Sequence, residues 1–182
     1  AVSPSYVELC NQSRIDINLS LTKLDNANQN ISLSLENPPS GLQFTFTPQM
    51  VALPGTSILS ILNPQSLPIG ASSIKIIATV GTEKVVSNIT IFKASTTLVS
   101  VSNISPINYA INVPTELVIL EWTSIPGINK YLVELSENPS FKEIVTALEI
   151  ETSSLGTTLK SGSIYYWRIK PISPCINNDF GP

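Results

Sequence analysis

The sequence of 182 residues contains no histidine, and this absence removes a large part of enzyme chemistry. Without imidazole there is no Ser-His-Asp triad, no Cys-His pair and no zinc site built on histidine ligands. Charged residues are also scarce, at 13% of the chain against a usual share of about 25%. The ten Lys and Arg residues are scattered and the net charge is −3, so we expect no nucleic-acid partner.

Long apolar segments are missing as well. The longest uninterrupted apolar runs have three or four residues, whereas roughly 20 are needed to cross a bilayer, so we expect no membrane insertion. The two cysteines are too few for a disulfide-dense scaffold. The length allows one large domain or two small ones of about 100 residues each.

Hydroxyl and amide side chains replace the missing charges, with 25 Ser, 15 Thr and 15 Asn in the chain. The β-branched residues Ile (23) and Val (12) are abundant, which favours strands. Apolar and polar residues alternate through most segments, as in 15–21 and 31–35, and turn residues such as those of 37–41 separate them. This pattern predicts an all-β fold made of two tandem β-sandwiches.

The second half resembles a fibronectin type III domain. The residues that carry this resemblance are Trp122 on an early strand, Tyr131 on the next strand, and the segment 159–169, in which Tyr165 follows Leu159 at the spacing of a tyrosine corner. The resemblance covers 99–182, and we predict a strand from 99 to 104 at its start. The chain ends before the last strand of that family, so we expect this domain to lack that strand or to be closed by residues outside the sequence.

The first half, residues 1–94, looks like the immunoglobulin-like domains of secreted bacterial proteins, through turns such as 39–42 and 53–57. Such tandems resemble the accessory region of secreted bacterial metalloproteases. The resemblance implies a non-catalytic spacer or interaction module of a secreted or cell-surface protein, without cofactor or metal. Its partners would be other domains of the same polypeptide, or an extracellular protein or glycan. The alternative is an adhesin fragment that binds protein or glycan through loops at one pole.

Strand alternation assigns the aromatic residues to two faces. Trp122, Tyr131, Tyr165 and Trp167 are predicted to point into the core, whereas Tyr166 and Arg168 point outward and form a candidate partner surface. The carboxylates considered as calcium ligands have no compact loop spacing, so they are interpreted as solvated: Glu134, Glu137, Glu149, Glu151 and Asp179.

The two cysteines lie in loops of different predicted domains. With strand topology of this kind in a head-to-tail tandem, Cys10 and Cys175 are predicted to form an interdomain disulfide, which fits an oxidising, extracellular setting. The alternative is two separate cysteines, each buried or paired with residues outside this chain.

Overall fold

The structure, a computed structural model, describes residues 2–22, 30–97, 100–177 and 179–181. The chain folds into two compact units, Ala1–Lys93 and Ala94–Pro182. Both units are all-β, and the one helix among the described residues is the 3-10 turn Pro64–Ser66. No helix in the described ranges is long and apolar enough to span a bilayer.

The described residues of the first unit form nine strands in two sheets. One sheet has the order β1-β3-β7-β5 and the other β2-β9-β8-β4-β6. The strands are β1 (Val2–Ser3), β2 (Tyr6–Leu9), β3 (Ile15–Leu21), β4 (Asn30–Glu36), β5 (Phe44–Thr47), β6 (Met50–Ala52), β7 (Gly55–Ile61), β8 (Gly70–Val80) and β9 (Glu83–Lys93). The amino-terminal segment serves both sheets, because β1 pairs antiparallel with β3 whereas β2 pairs parallel with β9. This is an immunoglobulin-like sandwich.

Alternation along the strands builds the core of this unit. In β3, Ile15, Ile17 and Leu19 are buried and the intervening Asp16 and Asn18 are exposed. The inner faces of the two sheets pack together in one hydrophobic cluster. Its buried residues are all aliphatic: Leu9, Ile15, Ile17, Leu19, Ile31, Leu33, Leu42, Val51, Leu59, Ile61, Leu67, Ile74, Ile76, Ile89 and Ile91. Burial of their side chains is the main stabilising contribution to the unit.

In the second unit, six strands lie within the described ranges, in two sheets of three. The sheet orders are β10-β11-β14 and β13-β12-β15, which is a fibronectin type III-like sandwich. The strands are β10 (Asn103–Ser105), β11 (Val118–Trp122), β12 (Lys130–Ser136), β13 (Ile144–Ile150), β14 (Ser154–Thr157) and β15 (Tyr166–Ile172).

The first strand of the second unit is shorter than the predicted segment 99–104. Residues 98 and 99 lie outside the described residues, and regular pairing begins at Asn103. Just before Asn103, Ser102 is bonded to Thr123 through one backbone and one side-chain hydrogen bond. The Thr123 N–H donates to the carbonyl of Ser102 at 3.0 Å, and Thr123 Oγ1 accepts from the Ser102 N–H at 3.1 Å. A register shift lies within this three-residue strand, between Asn103 and Ser105.

Candidate interaction surface

The aromatic side chains of the second unit form the centre of its core. Trp122 is 1% exposed, and its ring meets Tyr131 edge-on with centroids 5.6 Å apart and lies 6.4 Å from the centroid of Trp167. Among the described residues, Trp122 Nε1 is a buried polar atom without a hydrogen-bond partner. Trp167 is half-buried and packs against the same cluster. These rings are engaged with one another, so they present no stacking platform to a ligand.

Two tyrosine hydroxyls fix loops to this core. The Tyr131 hydroxyl accepts a hydrogen bond from the Ile125 N–H at 3.0 Å, and the hydroxyl of half-buried Tyr165 accepts one from the Lys160 N–H at 3.1 Å. The second contact is the tyrosine-corner geometry, in which a ring near the start of a strand bonds to the backbone a few residues upstream. Both hydroxyls therefore serve the structure of the sandwich.

Arg168 lies on the outer face of the sheet β13-β12-β15. It stands directly opposite Glu134 in β12, and two of its nitrogens, Nη2 and Nε, lie 2.6 and 2.7 Å from Glu134 Oε2. The guanidinium carbon lies 4.1 Å from the ring centroid of Phe141 and 3.8 Å from that of Phe180. Arg168 is therefore clamped between two aromatic rings and a carboxylate, an arrangement that stabilises the cation through cation–π attraction and charge-assisted hydrogen bonds.

Tyr166 shares the outer face with Arg168, and its side chain is exposed. The structure thus places the two predicted surface residues side by side, but the charge of Arg168 is already satisfied within the unit. Sequence reasoning missed Glu134, Phe141 and Phe180 as its partners. Of these three contacts, only the pairing of Glu134 with Arg168 has a basis in the sequence, because opposite charges on adjacent antiparallel strands favour a cross-strand pair.

A shallow depression of about 270 Å³ lies on the same side of the sheet. Its lining mixes aliphatic and charged side chains, among them Leu132, Glu149, Lys170, Ile172 and Ile176. Small-molecule sites usually enclose about 300–1,000 Å³ in a concave pocket. The depression is smaller and open, so the geometry favours a contact with a larger partner over enclosure of a ligand.

Strand β13 is the outermost strand of this sheet, and its side chains are mostly exposed. Val145 is 52% exposed and Leu148 is 45% exposed, and Ile144 is exposed as well. The strand pairs with β12 from Tyr131↔Ile150 to Ser136↔Ile144. Within the described part of the chain, no strand pairs with its other side. An apolar strand edge is therefore accessible to solvent.

A second group of exposed apolar side chains lies in the loop between β10 and β11. Tyr109 is 92% exposed, and Ile107 and Ile111 are also exposed. The Ala110 N–H donates to the carbonyl of Ile107 at 3.1 Å, which closes a turn with Tyr109 at a φ of 62°. Positive φ at this turn position normally selects Gly or Asn, and the exposed ring of Tyr109 gains no packing within the unit.

Each cysteine lies in a loop of its own unit. Cys10 follows β2; its N–H donates to Gln12 Oε1 at 2.6 Å and its carbonyl accepts from Gln65 Nε2 at 2.9 Å. Cys175 follows β15, and its N–H donates to Ser173 Oγ at 3.2 Å. Both side chains are partly buried. The pairing of Cys10 with Cys175 stays a prediction.

The carboxylates considered as calcium ligands are dispersed. Glu134 binds Arg168, Glu149 lies 3.8 Å from Lys130, and Glu137 lies 3.8 Å from Lys160. Within the described ranges, no three His, Cys, Asp or Glu side chains are grouped so that they could hold a metal ion.

No protein-family model matches the chain, and no curated protein matches it. Solved structures are similar to it at low identity. The CupB2 chaperone of Pseudomonas aeruginosa is 12% identical over 93% of this chain and 92% of its own, with a TM-score of 0.41. A chaperone–tip adhesin complex of CFA/I fimbriae biogenesis is 12% identical over 97% and 93%, with a TM-score of 0.49. Domains of titin are 14% identical over 97% of this chain and 60% of theirs, with a TM-score of 0.37. At these values the likeness assigns no family, partner or function to this chain.

Proposed function

We propose that this chain is a non-catalytic pair of β-sandwich modules from a larger secreted or cell-surface bacterial protein. The modules separate other domains of that polypeptide and offer a surface to protein partners. The observation that carries the proposal is the exposed apolar strand β13 in the second unit, since groups of apolar side chains on a surface usually mark an interaction site.

The polar groups of the described residues support the non-catalytic assignment. In the first unit, Ser60 Oγ donates to Asp16 Oδ1 at 2.6 Å, and Arg14 Nε donates to the same oxygen at 2.7 Å. In the second unit, Arg168 and Glu134 pair with each other. Each of these charged groups is paired within its sandwich, although Arg14 and Asp16 remain about half exposed. A nucleophile or general base must instead be positioned to reach a substrate.

The position of the modules beside the catalytic domain of a metalloprotease rests on the sequence resemblance of the tandem alone. Because many functions share a sandwich fold, we treat this position as the finer part of the proposal. A secreted setting follows from the same resemblance.

The test is an activity assay on the full chain, with fluorescently labelled casein and p-nitrophenyl esters as substrates. We expect no turnover above the buffer blank for any substrate. Turnover that copurifies with the chain through two independent chromatographic steps would overturn the non-catalytic assignment. A chain unfolded by heat is the control for adventitious hydrolysis.

An adhesin fragment is the second candidate, and the exposed loop with Ile107, Tyr109 and Ile111 favours it. Loops at the end of a sandwich commonly carry ligand-binding residues. Micromolar binding of the full chain to a glycan array or to matrix proteins, lost in Tyr109→Ser, would favour this candidate over a spacer. Binding that Tyr109→Ser leaves unchanged would place the contact elsewhere.

We also propose that Cys10 and Cys175 form a disulfide. The chain contains two cysteines, both lie in loops, and the described residues include no free thiol. A bond in a secreted protein would persist in its oxidising surroundings. We expect a cross-linked peptide pair in a non-reduced digest, read by mass spectrometry, and one alkylated thiol in Cys10→Ser. Alkylation of both cysteines in the unreduced, denatured chain would rule the bond out.

A further inference from the structure

The free edge of β13 is unusual among the sheet edges of this protein. Other edge strands are short: β1, β2, β5, β6, β10 and β14 have two to four residues each. At the opposite edge of the sheet, β15 contains Pro171, and its Ile169 carbonyl accepts from the Gly181 N–H at 2.8 Å. Strand β13 has seven residues and no Pro, and Glu149 is its one charged residue. Its pairing with β12 is regular from Thr146 to Ile150, past a register shift between Ile144 and Thr146. Proteins usually protect an edge by shortness, proline, charge, a bulge or a covering segment, so Glu149 is the one such device in the regular part of β13.

The hydrogen-bond pattern identifies which peptide groups of β13 face outward. Since the Ile169 carbonyl is bonded to Gly181, the peptide groups of Ile169 point away from β12. Val133 stands opposite Ile169 on one side and opposite Leu148 on the other. Antiparallel ladders alternate, so Val133 and Leu148 bond to each other and the peptide groups of Ala147 and Glu149 point to the free edge. A further strand can pair there.

Exposed side chains of β13 flank its free backbone edge. Leu148 shares the inner face with Val133, yet it is 45% exposed, because β13 lies at the margin of the sandwich. Ala147 shares the outer face with Glu134 and is exposed. An added strand would cover apolar surface beside Leu148 while its backbone pairs with Ala147 and Glu149.

The charges around β13 select the added strand. Glu143, Glu149 and Glu151 lie in or beside it, against Lys142 in the same stretch and Lys130 in β12, whose Nζ lies 3.8 Å from Glu149 Oε2. A second copy of the chain would bring an identical set of glutamates alongside this edge. Like charges close together across a ladder are destabilising, so the net acidic edge favours a strand that carries Lys or Arg over a second copy.

We propose that the free edge of β13 is a docking site for an extended segment of a partner protein in which apolar residues alternate with Lys or Arg. The segment adds to the sheet β13-β12-β15 as a further strand. Backbone hydrogen bonds to Ala147 and Glu149 hold it, the apolar side chains cover Leu148, and the basic side chains face the glutamates. This inference rests on the proposed interaction function and names its partner chemistry.

The test uses the full chain and a synthetic peptide of about nine residues, the length of one strand, in which Lys alternates with Val. Fluorescence anisotropy of the labelled peptide gives its affinity. We expect micromolar binding that weakens with salt, and at least tenfold weaker binding of the same peptide with Glu in place of Lys. Equal binding of the two peptides overturns the charge selection. No binding of the Lys peptide overturns the docking site.

Variants of the edge sharpen the test. Ala147→Pro removes an outward N–H but leaves the bonds to β12, and we expect it to weaken binding at least tenfold. Ala147→Ser keeps that N–H and is the matched control, with near-normal affinity. Glu149→Lys should weaken binding of the Lys peptide and strengthen binding of the Glu peptide.

Circular dichroism checks that each variant is folded. If Ala147→Pro does not fold, the change in peptide preference of Glu149→Lys is the test of the docking site. Unchanged affinity in a folded Ala147→Pro variant overturns the proposal. A concentration-dependent dimer that Ala147→Pro abolishes would make a second copy the occupant and overturn it too. Failure of these binding tests leaves the absence of catalysis standing, because the casein and ester assay tests that separately.

Discussion

The two units build the same kind of sandwich with different side chains. Among the described residues, the buried cluster of the first unit has fifteen members, all aliphatic. The buried cluster of the second unit has eight members, which include Trp122 and Tyr131, with Trp167 packed against it. Large rings fill a sandwich of three strands on three with fewer residues. The smaller core depends more strongly on each of its side chains.

The two units also differ in net charge and in the length of their edge strands. Residues 1–93 contain five Lys or Arg and five Asp or Glu, whereas residues 94–182 contain five and eight, so the whole net charge of −3 belongs to the second unit. The first unit has strand edges of four residues or fewer, and the second has the exposed seven-residue edge of β13. Both units expose apolar side chains, such as Val85 and Val86 in the first and Val145 and Leu148 in the second. The units therefore differ in net charge and in the length of their strand edges.

The largest expected effect is a loss of stability confined to one of the two cores. Trp122→Ala should destabilise the second unit by about 3–5 kcal/mol, because it deletes the centre of the aromatic cluster. Hydrogen exchange of the full chain, followed by mass spectrometry, should then show lost protection in β11, β12 and β15, with β8 and β9 unaffected. Leu59→Ala is the reciprocal control, with a cost of about 2–5 kcal/mol and the opposite pattern. Equal loss of protection in both units would show that they unfold together.

A smaller effect concerns a surface network of the first unit. The hydrogen bond from Ser60 and then that from Arg14 lower the pKa of Asp16 below its ordinary value of 3.8. A lowered folded-state pKa adds stability above the unfolded-state pKa, and this stability is lost as the pH falls through the folded-state value. Asp16→Asn should therefore have a lower Tm than the wild type at pH 6, and the difference should shrink as the pH falls through the folded-state pKa.

Thermal melts between pH 2 and pH 6 measure this difference, and Ser60→Ala is the control. That variant removes the strongest cause of the shift and should reduce the pH dependence while Asp16 remains. A constant difference between Asp16→Asn and the wild type across this range would exclude a titration of Asp16 as its origin.

Local alternation predicted much of the fold. The segment 15–21 is a strand with the predicted bounds, and 31–35 lies within β4, because apolar and polar residues alternate there. Strand β14 was not predicted, since Ser154–Thr157 is short and contains Gly156. Nothing in the local pattern indicated that β2 pairs parallel with β9, because that contact joins residues about 84 positions apart.

The candidate surface was less predictable for the same reason. The outward direction of Tyr166 and Arg168 follows from strand period, but the aromatic clamp on Arg168 brings Phe141 and Phe180 together across the fold. The exposed edge of β13 depends on the order of strands in the sheet, which no local pattern in 144–150 specifies. Sequence patterns specify which face a residue occupies, whereas topology decides which edge stays uncovered.

The parallel pairing of β2 with β9 has a mechanical consequence for the first unit. Tyr6 stands opposite Thr90 and Leu9 opposite Lys93, so the two strands run side by side in one direction. Tension that enters before Tyr6 and leaves after Lys93 pulls them along their length in opposite senses. All the backbone bonds between them are then loaded in shear together, and they must break as a group before the sandwich can open. An antiparallel hairpin pulled from its two ends would instead unzip bond by bond.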